Sequence, residues 1–231
     1  MEENLLENDV NWLPYSGEKL SIEDFVQVIK IKVDTHYPAI DTSILSADEI
    51  DKGNRFVHQH DRESYLVSKY YLRLLLSRFL HLANSAITYS YTSHRKPALS
   101  GIEFNLSHAG NYVVIAVSQL PVGVDIEFIK KDFKFMDLME MCFSEEESSF
   151  ILSNEDQLSS FFLLWTRKEA ILKATGEGLT DHLHLVPSLA TEVHRQGQLF
   201  KVQSIEVSDD YIVTAAFHPQ ENTILQFWNW E

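Results

Sequence analysis

Cysteine is nearly absent from this sequence: Cys142 is the one cysteine in 231 residues. A lone thiol cannot close an intramolecular disulfide, so the fold must stand on its core alone. Bases are scarce too, with 19 Lys and Arg against 34 Asp and Glu and a formal net charge of −15. That balance excludes a generic binder of nucleic acid or anionic membrane. Any phosphate must be met by locally placed bases or by a metal. Glycine and proline number 8 and 6 and gather into no flexible linker. No run approaches the roughly 18 apolar residues of a membrane span. Met1 to Asp9 is acidic and lacks the apolar stretch of a secretory signal. The expectation is a soluble, cytoplasmic protein.

Hydrophobic residues make up 45% of the chain, enough for a packed core. The length allows one large domain or two of roughly 100 residues. Ser21, with Asp24 three residues on, reads as a helix start and predicts a helix from Ile22 to about Lys32. Ser46-Ala47-Asp48-Glu49 opens a second helix. Leu66, Tyr70, Leu74, Leu75 and Phe79 carry helical spacing between Asp61 and about His81. Ile87–Tyr91, Phe104–His108 and Tyr112–Ser118 read as strands, with a turn at Lys96-Pro97 and a break at Pro121-Val122-Gly123. The second half repeats this grammar. Val124–Phe128 is a strand, helices lie near Met136–Cys142 and Glu145–Leu152, and a long helix runs from Gln157 to Thr175, stopping at Gly176. Strands are predicted near Leu183–Val186, Leu199–Ile205, Tyr211–Phe217 and Thr223–Trp228. The fold class is α+β: two similar subdomains, 1–119 and 120–231, each with helices on a small antiparallel sheet, related by a pseudo-twofold.

Two acidic segments carry the chemistry. In Gly123-Val124-Asp125-Ile126-Glu127, alternation sends Val124, Ile126 and Phe128 to a core and sets Asp125 and Glu127 side by side on the other face. Alone, this fits an ordinary strand with two solvated acids. Trp165, Glu169 and Lys173 stand at i, i+4 and i+8 on the long helix, which alone fits a surface ion pair. That helix is apolar nearly all round, however, and a helix of that kind is buried. Buried charges need partners, and a divalent cation held by Asp125, Glu127 and Glu169 supplies one. An all-oxygen ligand set suits magnesium, which keeps positions for water and phosphate, rather than zinc. The pairs His58/His60 and His182/His184 have no third ligand nearby and read as solvated.

These segments resemble the two signature motifs of the 4′-phosphopantetheinyl transferases: Gly123 to Glu127, and Trp165, Lys168-Glu169-Ala170, Lys173-Ala174, Gly176 and Gly178-Leu179. Phe104-Asn105-Leu106-Ser107-His108 resembles a third motif and Lys96-Pro97 a fourth. The likeness runs from about Ser46 to Leu179, and the length is similar to that of the monomeric, surfactin-synthetase-activating branch. Ala109 and Arg95 depart from it, standing where serine or threonine and glycine are frequent. The resemblance implies transfer of phosphopantetheine from coenzyme A to a serine of an apo acyl or peptidyl carrier protein, with release of 3′,5′-ADP. It implies Asp125, Glu127 and Glu169 as magnesium ligands in the second subdomain. It implies Lys173 at the pyrophosphate, with Lys168 a further motif contact. Ser107 and His108 would hold the 3′-phosphate end of coenzyme A, with Lys52, Arg55 and Lys96 as further phosphate contacts in the first subdomain. Glu127, Glu169 or a metal-bound water would take the serine proton, Glu169 being favoured for sharing a stripe with Lys173. Phe133, Phe135, Met136, Leu138, Met139 and Met141 are a docking surface for the carrier or else core. A magnesium-dependent phosphoesterase or nucleotide hydrolase, and a silent carrier-binding module, are the alternative functions.

Overall fold

The computed structural model describes residues 5–7, 10–178 and 182–231. In chain order the strands are β1 (Leu6–Glu7), β2 (Leu13–Tyr15), β3 (Phe25–Lys32), β4 (Ser90–Tyr91), β5 (Pro97–Ala98) and β6 (Glu103–Ala109). They continue with β7 (Tyr112–Ser118), β8 (Val122–Phe128), β9 (Glu192–Arg195), β10 (Gln198–Ser208), β11 (Tyr211–Phe217) and β12 (Ile224–Trp230). The helices are α1 (Val33–His36), α2 (Ala47–Gly53), α3 (Gln59–Leu80), α4 (Met139–Cys142), α5 (Glu145–Ser153) and α6 (Gln157–Thr175).

The two halves share one topology: a strand, a long helix, then a hairpin whose second strand pairs back with the first. In the first half the order is β3-β7-β6, and in the second β8-β11-β10, antiparallel throughout. The layers are α3, first sheet, second sheet, α6. Leu72, Leu75 and Leu76 of α3 bury against Ile29, Ile31 and Ile115. Phe161, Leu164 and Ile171 of α6 bury against Phe200, Val202 and Ile212. Val28 and Val114 of one sheet meet Val124, Ile126 and Val213 of the other in a third cluster between them. The chain ends cross from one half to the other. β12 lies parallel between β2 and β3 in the first sheet, and β1 lies parallel beside β10 in the second. The sheets are therefore mixed rather than purely antiparallel.

The helix expected from Ile22 to Lys32 is strand β3. Its Val26 and Val28 face the sheet-sheet core while Ile29 and Ile31 face α3, so period two satisfies two apolar layers at once. Ser21 does accept from the Glu23 N–H at 3.2 Å, but as a local turn and not a helix cap. The strand expected at Leu183–Val186 is a 3₁₀ turn over Leu183–Leu185. The carbonyls of Leu183 and Val186 turn instead to a buried lysine, Lys168. Of Ile87–Tyr91, β4 alone pairs, against β5, whose Pro97 has no N–H to give a longer ladder. The Ser46 start is a full capping box: Ser46 accepts from the Glu49 N–H and Glu49 from the Ser46 N–H.

Candidate active site

Gly123 explains how β8 and α6 come to form one site. A Cβ at this position would lie 2.1 Å from the Ala170 carbonyl oxygen and 2.3 Å from the Ala174 nitrogen. Only glycine lets strand and helix backbones approach so closely. Asp125 and Glu127, one and two strand periods further along the same face, are thereby set against Trp165, Glu169 and Lys173. Val124 and Ile126 are buried on the opposite face, as alternation predicts, while Phe128 at the strand end is 39% exposed.

Asp125 is buried and holds the centre. Its Oδ1 accepts from Lys173 Nζ at 2.6 Å and from the Ser107 hydroxyl at 2.8 Å, and Lys173 also donates to Ser107 Oγ at 3.0 Å. Asp125 Oδ2 is buried with no hydrogen-bond partner. Glu127 Oε1 accepts from the Trp165 indole N–H at 3.1 Å. Burial pushes the Glu127 carboxyl up to about 7; Asp125 adds to the rise, while Lys173 and the indole hydrogen bond oppose it. Burial, then Asp125, raises the Glu169 carboxyl as well, against the pull of Lys173. The three acids thus share one electrostatic field, tempered by one ammonium.

Among the described residues no three His, Cys, Asp or Glu side chains converge as a ready-made metal cage. Magnesium does not need one. It takes one or two protein carboxylates and completes its shell with water and substrate phosphate. An unsatisfied buried carboxylate oxygen beside two acids of raised pKa is a donor set of that chemistry.

The first half supplies the opposite wall. Strand β6 runs beside β8 at the sheet edge, and Asn105, one strand period before Ser107, accepts from the Val124 N–H at 2.9 Å. The Asn-Leu-Ser spacing therefore stitches the two sheets together while aiming Ser107 at Asp125. His108 lies exposed on the same strand, with its proton affinity lowered by partial desolvation and by the charges of Lys173 and Lys69. Lys96 donates to the Lys173 carbonyl at 2.8 Å, a cation on the last turn of α6, and desolvation lowers its pKa. Arg95 before it holds φ at +62°, which accounts for the glycine frequent there in the resembled motif.

A cavity of about 890 Å³ opens beside this wall, between α2, α3 and the 84–97 loop, with Ser46, Lys52, Lys69, Arg73, Tyr91 and Arg95 in its lining. It lies outside the carboxylate cluster, joined to it through the Arg95-Lys96 loop. Arg73 there is a packing residue: it pairs with Glu49 at 2.6 Å and donates to the carbonyls of Asn84 and Ile87. Lys52 and Lys69 rest over the Tyr65 ring. Arg55 is exposed and does not line the cavity.

Lys168 is not brought to the site. Its side chain is 1% exposed, pairs with Glu147 at 2.6 Å, and donates to the Leu183 and Val186 carbonyls, so it cannot reach a phosphate. Its role in the motif is to lock α6 onto α5 and the 183–186 turn. The helix of Arg62, Lys69, Arg73 and Arg78 reads from sequence as either a coenzyme A contact or a charged face, and Lys69 and Arg73 do line the cavity; the place of Arg95 in that lining and the grip of Trp165 on Glu127 are not legible there. The i, i+4, i+8 stripe of Trp165, Glu169 and Lys173 was the available signal for the last.

An α+β chain that sets acids and a lysine around one strand-helix contact, with a cavity lined by lysines and arginines to one side, has the build of an enzyme acting on a phosphate compound. Known families agree. Residues 121–216 match the 4′-phosphopantetheinyl transferase superfamily, and residues 35–120 match the N-terminal region of 4′-phosphopantetheinyl transferases. The chain is 31% identical over 174 residues to 4′-phosphopantetheinyl transferase Sfp of Bacillus subtilis, covering 73% of this chain and 74% of that one. It is 31% identical over 179 residues to 4′-phosphopantetheinyl transferase HetI of Nostoc sp., covering 73% and 76%. With 4′-phosphopantetheinyl transferase gsp of Aneurinibacillus migulanus it shares 34% over 152 residues, 64% and 63% of the two chains. The chain belongs to the 4′-phosphopantetheinyl transferase superfamily.

Proposed function

We propose that the enzyme transfers 4′-phosphopantetheine from coenzyme A to a serine of an apo acyl or peptidyl carrier protein, with magnesium, releasing 3′,5′-ADP. The observation that carries this reading is the Asp125-Lys173-Ser107 cluster facing Glu127 and Glu169. Asp125, Glu127 and Glu169 would hold the magnesium, which when bound neutralises charge on the pyrophosphate. Phosphoryl transfer asks the protein mainly for positioning and charge. Lys173 offers its ammonium to the pyrophosphate and steadies the leaving 3′,5′-ADP. The cavity, with Lys52 and Lys69, has the size of a nucleotide site; beside it Ser107 touches Lys173, His108 follows on the same strand, and Lys96 anchors the Lys173 carbonyl. Burial raises the proton affinity of both Glu127 and Glu169, so that rise does not choose between them; Glu169 is favoured as the base for the serine proton because it shares the helical stripe of Lys173. Glu127 is committed to the indole of Trp165.

The carrier would dock on the segment between the two motifs. Met136 and Met141 are 56% and 59% exposed and Phe133 is 36% exposed, while Met139 is buried and Phe135 and Leu138 pack into the core. Lys130, Lys131 and Lys134 are exposed around this apolar edge. With Asp132, Asp137 and Glu140 among them the 130–141 stretch is locally neutral, so it repels an acidic carrier less than the rest of a chain of net charge −15 would. The same reading has the enzyme working as a cytoplasmic monomer; no helix among the described residues is long and apolar enough to cross a membrane.

Apo carriers of the fatty-acid, polyketide and nonribosomal-peptide classes, incubated with coenzyme A and magnesium, should gain the phosphopantetheine mass in intact-mass spectra for at least one class. Glu169→Ala should abolish the gain while the protein stays folded. Near-wild-type transfer by that variant would sink its assignment. Hydrolysis of coenzyme A with no gain on any carrier would replace the transferase by a phosphoesterase.

A further inference from the structure

Lys173 does more than wait for a phosphate. Its ammonium is spent on Asp125, the most buried of the three acids, at 2.6 Å, and its side chain is only 27% exposed. Its charge also reaches both Glu127 and Glu169. The backbone beneath it is fixed: the Lys173 carbonyl accepts from Lys96 at 2.8 Å, and the residue sits in the last turn of α6 above the Gly123 contact. Beyond that anchor, four rotatable carbons leave the ammonium free to move between acceptors. A divalent cation seated on Asp125 would share its carboxylate with this ammonium, and two cations on one carboxylate repel strongly at such separations.

We propose that Lys173 and the divalent cation compete for the Asp125 carboxylate, and that the coenzyme relieves the competition by offering its pyrophosphate to the ammonium. The inference rests on the metal-and-coenzyme reading above and adds to it an order of events. Metal binds weakly while Lys173 rests on Asp125. Coenzyme draws the ammonium away, and metal and coenzyme then bind with positive coupling. Ser107 is the pivot, because its hydroxyl touches both Asp125 and Lys173 and can keep its bond to Asp125 when the lysine leaves. The opposite arrangement is a lysine that orients Asp125 for the metal, so that its loss weakens metal binding.

Titration with manganese, followed by the electron paramagnetic resonance signal of the free ion, separates the two. Without coenzyme A, Lys173→Met should bind manganese about tenfold more tightly than wild type, the size expected for removing one partly screened charge from the site. The tightening that coenzyme A brings should be smaller in the variant than in wild type. Lys173→Gln, which keeps a donor for Ser107, should behave alike, and thermal melts establish that both variants are folded. Manganese binding by both folded variants that is equal to or weaker than wild type overturns the competition. If wild type binds no manganese even with coenzyme A, the metal assignment itself falls, a result distinct from failure of the competition alone.

Discussion

At the scale of single residues, the two lysines of the second motif have opposite fates. Lys173 faces the carboxylates, whereas Lys168 is walled in by Glu147 and two carbonyls. Removing one partner of a buried ion pair costs roughly 3–5 kcal/mol, because the other charge is stranded. Lys168→Met should therefore lower stability by about that amount in urea unfolding, and leave KM for coenzyme A unchanged at temperatures where the variant is folded. A raised KM with an unaltered unfolding midpoint would return Lys168 to the coenzyme. Glu127 carries a different signature. Its folded carboxyl titrates at about 7, above its ordinary 4.5. Between those values the folded protein binds more protons than the unfolded chain, so this group makes stability fall as pH rises through that window. Glu127→Gln removes the loss. Discounted for the solvent that this half-buried side chain still meets, the gain is about 1 kcal/mol, which at this chain length raises the melting temperature by roughly 2–4 °C at pH 8 and leaves it unchanged at pH 4. Coincident melts at pH 8, in chelator-treated buffer, would show that Glu127 is not ionised against its surroundings.

At the scale of elements, the site is a strand-helix contact governed by one glycine. Gly123→Ala places a methyl group within 2.1–2.3 Å of α6 backbone atoms, which cannot swing aside as a side chain can. Overpacking of this kind costs roughly 1–3 kcal/mol or more. It should also push Lys173 and Glu169 away from Asp125. The expected outcome is a lowered melting temperature together with a transfer rate that falls further than the folded fraction does. A wild-type melt and rate would mean that α6 does not depend on this approach. The element most misjudged from pattern was β3. Its Ser21 start signal was real but local, and two-sided burial in a central strand leaves no polar face by which alternation could be recognised.

At the scale of the whole molecule, the two halves are bound by exchanged ends. β12 sits in the middle of the first sheet, between β2 and β3, and ends in Trp230, which meets Tyr15 and Tyr71 and whose carbonyl is within 3.1 Å of His36 Nε2. In the other direction, the buried Arg167 of α6 donates to the Leu5 carbonyl and to those of Ser188 and Ala190. Ending the chain at Asn222 should therefore unfold the first half, although the cut lies in the second. Hydrogen exchange should show lost protection in β3 and β7, far from the cut in sequence. Retained protection there would mean that the halves fold independently.

Local residue patterns are enough for the grammar of the elements and for the chemical inventory. Gly176 ended α6, the Ser46 box opened α2, and period two on β8 set Asp125 and Glu127 on one face. Each of these is decided by residues within one turn or one strand of each other. Tertiary structure decided which charges are free. Lys168 and Lys173 are equivalent as letters, but a carboxylate 21 residues away neutralises one, and one 48 residues away engages the other at the rim of the site. It also decided that β3 is a strand and that the termini trade sheets, because burial on two faces and pairing across the whole chain leave no mark on neighbouring residues.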